Sequence, residues 1–264
     1  MSTLVCFHAH PDDEALSTGG LMAKAAAAGH RVVLVTATRG EQGEPQPGVL
    51  EHGEELWRRR VEETAEACAV LGADEPRFLG YEDSGMMGEP TNDNPDCFWQ
   101  ADLDEAADRL AAILEEVSAD VLTIYDDHGL YGHPDHIQVH RVGLRAAERV
   151  GLGDVYEATV NRDRALESME QMAEHVPEDE RPNIQEFDDF GVAADDLSYC
   201  VDITDQLVAK RKAMTAHRSQ ISDQSFFLAM PEDRFAAMFA TEWFAVPGRT
   251  GTGGPEAVDL LPGL

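Results

Sequence analysis

The chain has 264 residues, 43% of them apolar, which is enough for one large domain with its own core and short for two. Its 51 acidic and 20 basic residues leave a formal charge of −31, and the lysines are only Lys24, Lys210 and Lys212. Such a surface repels phosphates, which excludes nucleic acid as a partner, and no apolar run approaches the ~20 residues of a membrane span. Cys6, Cys68, Cys97 and Cys200 form no Cys-x-x-Cys pair and read as small buried hydrophobes of a reducing cytoplasm.

The first apolar run, residues 4–7, reads as a strand leading into His8-Ala9-His10. The N-terminus has no basic region and no cleavage site, so no signal peptide is expected and a cytoplasmic location is. Residues 15–28 are rich in helix formers and close at Gly29, as at a C-terminal cap. Residues 31–37 carry Val-Val-Leu-Val-Thr, the pattern of a strand buried on both faces. A glycine- and proline-bearing loop (39–49) precedes a helix over 54–71 that ends at Gly72. A short strand at 77–79 and a long loop, 81–98, follow. Residues 102–117 place Leu103, Ala106, Leu110, Ile113, Leu114 and Val117 on one helical face. A strand at 120–125 and a helix at 134–150 complete the series.

Repeated strand–helix units predict an α/β fold: a Rossmann-like, doubly wound, mostly parallel sheet with helices on both faces. Ligands of such sheets bind beyond the carboxyl ends of the strands. That rule points to the segments after Phe7, Ala37 and Tyr125, where polar residues concentrate. Past residue 150 the pattern weakens into a C-terminal α+β extension, with strands at 155–160 and 197–203 and helices at 206–217 and 232–244. Residues 174–196 are acidic and irregular and read as an insertion or lid, and 248–264 as an extended or partly disordered tail. The whole chain, 1–264, reads as one domain: a core (1–150) that carries the site, a C-terminal part (151–247) and the tail.

Two tetrapeptides carry the chemistry. His10-Pro11-Asp12-Asp13 follows the first strand, and His133-Pro134-Asp135-His136 follows the strand at 120–125. Each is expected to set its proline at a helix start, where a missing N–H costs nothing. First and fourth residues then share one side of a turn, pairing His10 with Asp13 and His133 with His136. Acidic residues alone would suit a helix N-terminus, but capping does not call for histidine at equivalent ends of two strands. Histidine with carboxylate suits zinc, iron(II) and related divalent metals, and fewer than four protein ligands leave room for water and substrate.

These residues resemble a known family. Ala9-His10-Pro11-Asp12-Asp13-Glu14 is similar to the signature of the PIG-L/LmbE-like deacetylases, which act on N-acetylglucosamine linked to inositol, phosphatidylinositol, malate or a second sugar. Thr38-Arg39-Gly40-Glu41-Gln42-Gly43-Glu44, Arg60 with Glu63, Asp83-Ser84-Gly85-Met86 and Tyr131-Gly132-His133-Pro134-Asp135-His136 resemble its further motifs over roughly residues 1–150. His217-Arg218-Ser219-Gln220 and Glu242-Trp243-Phe244 match more weakly. The resemblance implies a zinc-dependent N-deacetylase (iron(II) or another divalent metal as alternatives) with His10, Asp13 and His136 as ligands. It implies Asp12 as general base on a metal-bound water and His133 at the oxyanion or leaving amine. Asp135 would orient a histidine, Tyr131 would polarise the carbonyl, and Arg60 and Asp83 would hold sugar hydroxyls. It also implies a small N-acetylated amino-sugar substrate and a homo-oligomer. The acid-rich, lysine-poor composition is similar to that of proteins of salt-loving archaea.

Amide hydrolysis makes these roles chemically coherent. An amide resists water, so the nucleophile needs activation, a base must take its proton, and a donor must meet the oxyanion. Of the other histidines, His8 reads as a hydrogen-bonded neighbour of the site, His128 and His140 as flanking or surface groups, and His217 as more structural than catalytic. The alternative enzyme is an amidase of a larger amide such as a thiol–sugar conjugate. Those relatives often carry a lysine shortly after the first motif, absent from Ala15-Leu16-Ser17-Thr18-Gly19. A nucleotide-binding protein would show Gly-x-Gly-x-x-Gly after the first strand, which this chain lacks. A non-catalytic cation-binding protein would not need base, ligands and oxyanion group together.

Overall fold

Alternation along the first two strands builds both faces of the sheet at once. In β1 (Thr3–His8) Leu4 and Cys6 enter one apolar core while Val5 and Phe7 enter the other. β2 (Arg31–Thr36) repeats this with Val32 and Leu34 against Val33 and Val35. Side chains of period two serve two cores only if helices cover both faces. The computed structural model, which describes residues 1–173 and 190–261, shows that arrangement.

Among the described residues one sheet runs in the order β3-β2-β1-β4-β5-β7-β6-β8. β3 is Arg77–Phe78, β4 Val121–Tyr125, β5 Val155–Thr159, β6 Tyr199–Asp202, β7 Thr241–Ala245 and β8 Glu256–Ala257. β1 to β5 are parallel, β7 is antiparallel to both β5 and β6, and β8 is parallel to β6. Helices α1 (Asp13–Ser17), α2 (Gly19–Ala27), α3 (Leu56–Leu71) and α8 (Leu207–Ala216) line one face; α4 (Leu103–Val117) and α6 (Pro134–Val150) line the other. The short α5 (Gly129–Gly132), a single distorted turn, follows β4, and the winding of the sheet reverses between β1 and β4. α7 (Arg162–Ala173) and α9 (Glu232–Phe239) complete the set. Adjacent strands whose helices leave to opposite sides open a crevice at their carboxyl ends.

Local chemistry explains the boundaries. Asp102 caps α4 by accepting from the N–H groups of Asp104 and Glu105, both at 3.0 Å. Gly72 ends α3 at φ 75°, a conformation a side chain disfavours. The helix expected over 15–28 is broken at Thr18, whose hydroxyl is held by His8 Nε2 at 2.8 Å. Its second half starts afresh because Glu242, on β7, accepts from the N–H groups of Gly20 and Leu21 at 2.7 and 2.8 Å. Buried Lys210 neutralises Glu242 at 2.6 Å.

Two further expectations need correction. The helix expected over 232–244 ends at Phe239, and Thr241–Ala245 forms β7. Its β-branched and aromatic residues are claimed by pairing with β5 and β6, which outweighs local helical preference. The tail is not simply extended: β8 adds to the sheet edge, and Leu260 and Leu261 are buried. Most of the expected lid, residues 174–189, lies outside the described residues. No helix among the described residues is long and apolar enough to cross a membrane.

Candidate metal centre and active site

The turns after β1 and β4 meet in the crevice. In the second, Pro134 opens α6 and His133 is its N-cap, its Nδ1 accepting from the Asp135 N–H at 3.1 Å. A histidine does cap here, with a ring nitrogen. The first turn differs from expectation: Pro11 precedes the N-cap Asp12, which stands in the left-handed region at φ 95°. Asp13 is then the first helical residue and folds back on its own turn, Oδ2 accepting from the His10 N–H at 2.8 Å.

That carboxylate joins the predicted ligands. Asp13 Oδ2 lies 3.3 Å from His10 Nδ1 and 3.4 Å from His136 Nε2. The other ring nitrogen of His10 faces Asp135 Oδ2 at 3.1 Å, with Asp83 Oδ1 at 3.4 Å. Asp135 is placed to orient His10: with the proton on Nε2, the nitrogen that faces Asp13 is Nδ1. Ser84 holds Asp135, through its N–H at 2.9 Å and its hydroxyl on Oδ1. His136 is buried, stacked on Tyr125 (4.3 Å, 12°), and neither of its ring nitrogens has a hydrogen-bond partner. A buried imidazole without partners beside a shared carboxylate is what a metal ligand looks like before its ion is counted. The donor set therefore fits a divalent ion. Ligand-type atoms of His10, His133 and His136 also lie within 4.8 Å of one another, as do those of His10, Asp83 and Asp135. His133 has its Nδ1 engaged by the Asp135 N–H, and Asp83 and Asp135 flank the other edge of His10, so the Asp13-centred set is the more coherent one.

Burial and charge divide the remaining roles. Burial pushes the Asp12 carboxyl up to about 6, with Arg60 working against it. Burial and then the neighbouring His10 and His136 lower His133 to about 3, so its ring is neutral near pH 7. With Nδ1 accepting, its proton sits on Nε2 and can be donated. Burial would raise Asp13, but His136 and His10 outweigh it and hold its carboxyl well below the usual range. Burial would lower His10, but Asp83, Asp13 and Asp135 raise it well above its ordinary value.

The other predicted residues surround these. A cleft of about 220 Å³ is lined by His10, Asp12, Asp13, Arg60, Asp83, Tyr131 and His133, with Gln42, Met86 and Glu89 at its edge. Arg60 is buried, donating to Gly40 O at 2.8 Å and Pro11 O at 2.6 Å and approaching Asp12 Oδ2 at 3.3 Å. A Cβ at Gly40 would collide with that guanidinium, which is why the loop carries glycine there. Asp83 accepts from the N–H groups of Gly85 (2.9 Å) and Gln42 (3.2 Å). Tyr131 stands half exposed at the rim, edge-on to His136 at 5.0 Å, after the strained Leu130 (φ 65°). A larger cavity of about 370 Å³ lies beside loop 126–128, lined by His128, His140 and Glu157, and contains none of the predicted site residues.

Two histidines read from the sequence as supporting rather than ligating find their partners here. His8 bridges Tyr125 Oη (2.7 Å) and Thr18, fixing the ring that stacks on His136. His217 reaches Glu14 across 203 residues at 2.6 Å. The weak match at His217-Arg218-Ser219-Gln220 was the available signal for the second.

Comparison with known proteins agrees with this geometry. The PIG-L family model, described as GlcNAc-PI de-N-acetylase, matches residues 5–147. The 1D-myo-inositol 2-acetamido-2-deoxy-alpha-D-glucopyranoside deacetylase of Thermomonospora curvata is 41% identical, covering 96% of this chain and 92% of its own. Its counterpart from Salinispora arenicola is also 41% identical, over 99% of this chain and 91% of its own. Among solved structures, N,N'-diacetylchitobiose deacetylase from Pyrococcus horikoshii superposes with a TM-score of 0.56 at 21% identity, covering 89% of this chain and 73% of that one, which shows the shared fold. Fold, motifs and full-length similarity agree, and the chain belongs to the PIG-L family of de-N-acetylases.

Proposed function

We propose that this chain hydrolyses the acetamide of N-acetylglucosamine joined to inositol, the compound named for its 41%-identical relatives. The observation that carries the reaction type is Asp13 Oδ2 set between His10 Nδ1 and His136 Nε2, with a base, Asp12, and a neutral donor, His133, on the same cleft. His10, Asp13 and His136 would hold a divalent ion, zinc by the nitrogen–nitrogen–oxygen donor set. Bound there, such an ion polarises the acetyl carbonyl and acidifies water, whose pKa of 15.7 can fall toward about 7.

The chain's own residues do the rest. Asp12, ionised above about pH 6, takes the proton of the attacking water. His133 donates its Nε2–H to the developing oxyanion; a ring titrating near 3 is a poor proton source for the amine. Protonated Asp12 then delivers that proton to the leaving amine, so one carboxyl serves as base and acid. Tyr131, at the rim, adds a second donor to the carbonyl. Asp83 and Arg60, on the cleft wall, serve the sugar hydroxyls.

The test is acetate release from N-acetylglucosaminyl-inositol, N,N'-diacetylchitobiose and an N-acyl thiol–sugar conjugate. The highest kcat/KM is expected for the inositol glycoside. Faster cleavage of the thiol conjugate would replace this reading by that of an amidase.

A further inference from the structure

Asp12 occupies a positive-φ conformation that costs a residue with a side chain conformational energy, with φ 95° and ψ −27°. Released from its supports, it would relax toward an ordinary conformation and swing its carboxylate away from the ligands. Two contacts oppose this. Arg60 holds Pro11 O at 2.6 Å and meets Asp12 Oδ2 at 3.3 Å. On the other side, the Asp12 N–H donates to Glu14 Oε2 at 3.0 Å.

Glu14 is itself positioned from far away in sequence. It is fully buried, and its second oxygen, Oε1, accepts from His217 Nε2 at 2.6 Å; His217 is fully buried as well. The two carboxylate oxygens thus act separately, Oε2 capping the strained turn while Oε1 is anchored. His217 ends α8, and its turn is locked by Glu63, which accepts from the Ser219 N–H at 2.9 Å and the Ser219 hydroxyl at 2.6 Å. The same turn accepts from the Gln46 N–H through Ser219 O at 2.8 Å, tying down the loop whose Gln42 and Gly43 form the cleft edge.

We propose that His217, acting through Glu14, is a positioning residue that holds Asp12 in its left-handed turn and so aims the base. This rests on the reading of Asp12 as the base. His217 touches neither the cleft nor the ligands, so its loss should alter kcat and leave KM and metal content alone.

The experiment uses the full-length, metal-loaded chain as parent, His217→Leu, His217→Gln, Asp12→Asn and the double variant Asp12→Asn/His217→Leu. Metal content, kcat and KM are measured for each, and a crystal structure of His217→Leu is determined. Leucine removes the donor at similar size; glutamine restores an N–H. His217→Leu should lower kcat by roughly 10–10²-fold, the cost of misplacing a reacting group by about 1 Å. His217→Gln should recover most of it, and in the Asp12→Asn background the leucine should cost no more than about twofold, because both changes disable one device. In the crystal structure Asp12 should leave φ near 95°. An unchanged kcat, an unchanged Asp12 conformation, a full additional loss in the double variant or a loss of metal would each overturn the inference. If His217→Leu does not fold, His217→Ala takes its place: a lower kcat with Asp12 away from φ 95° supports the inference, and a parent-like kcat or an unchanged Asp12 geometry overturns it. A parent rate in Asp12→Asn would instead sink the base assignment, which separates the two failures.

Discussion

The Nε2 of His10 lies 3.1 Å from Asp135 Oδ2, although the two residues are 125 positions apart on turns that follow different strands. The contact leaves Nδ1 of His10 facing Asp13, and it rests on Ser84, whose N–H and hydroxyl both meet the Asp135 carboxylate. The three residues come from the turn after β1, the first turn of α6 and the loop after β3.

Asp135→Asn should therefore weaken metal binding by ~10–100-fold, the usual cost of losing such an orienting partner. His136→Ala should abolish binding at the same metal concentration. Chelator competition on the purified protein measures both. Parent affinity in Asp135→Asn would show that His10 needs no orientation from it.

The two adjacent aspartates should separate cleanly. Asp12→Asn should keep its metal and lose turnover by roughly 10²–10⁴-fold, the contribution of a general base. Asp13→Asn should lose metal, because its Oδ2 is shared by two imidazoles. His133→Ala should keep metal and lose turnover by ~10²–10³-fold, as for one oxyanion donor. Metal content and acetate release, taken side by side, check all three. A metal-free Asp12→Asn beside a metal-replete Asp13→Asn would reverse the assignment.

Glu157 predicts a pH effect away from the site. Burial first, then Asp126 and Asp127, raise its carboxyl from 4.5 to about 8. Its neighbour His140 Nδ1, at 3.3 Å, already donates to Tyr125 O at 3.1 Å. A folded pKa above the unfolded one means that this group's stabilisation is complete below about pH 4.5 and is lost as pH rises through 8. Glu157→Gln, which stays neutral, should gain stability over the parent as pH goes from 5 to 8.5. Urea unfolding at both pH values is the measurement, and a constant difference between the proteins would contradict the assignment.

The charge of −31 predicts salt dependence. The screening length falls from about 10 Å at 0.1 M salt to about 3 Å at 1 M, so self-repulsion should largely vanish. The melting temperature should rise between 0.1 M and ~2 M potassium chloride. Equal values would show that the acidic surface carries no such cost.

Much of the architecture was legible because it is periodic. Val-Val-Leu-Val in β2 reads as a strand buried on both faces, and Leu110, Leu114 and Val117 read as one helix stripe, since each pattern records which side faces a core. The two site turns were legible because His10-Pro11-Asp12-Asp13 and His133-Pro134-Asp135-His136 are contiguous, whereas the choice of His10, Asp13 and His136 among them came from the resemblance to the PIG-L/LmbE-like deacetylases. β7 was not, because Thr241–Ala245 becomes a strand through partners on β5 and β6 that no local window contains. The left-handed Asp12 was not either. Its conformation is strained locally and is held by Glu14, His217 and Arg60 together. Sequence alone determined which groups could bind a metal and move a proton. Tertiary structure decided which carboxylates face His10 and what surrounds Asp12, because those depend on contacts between residues 48 to 203 positions apart.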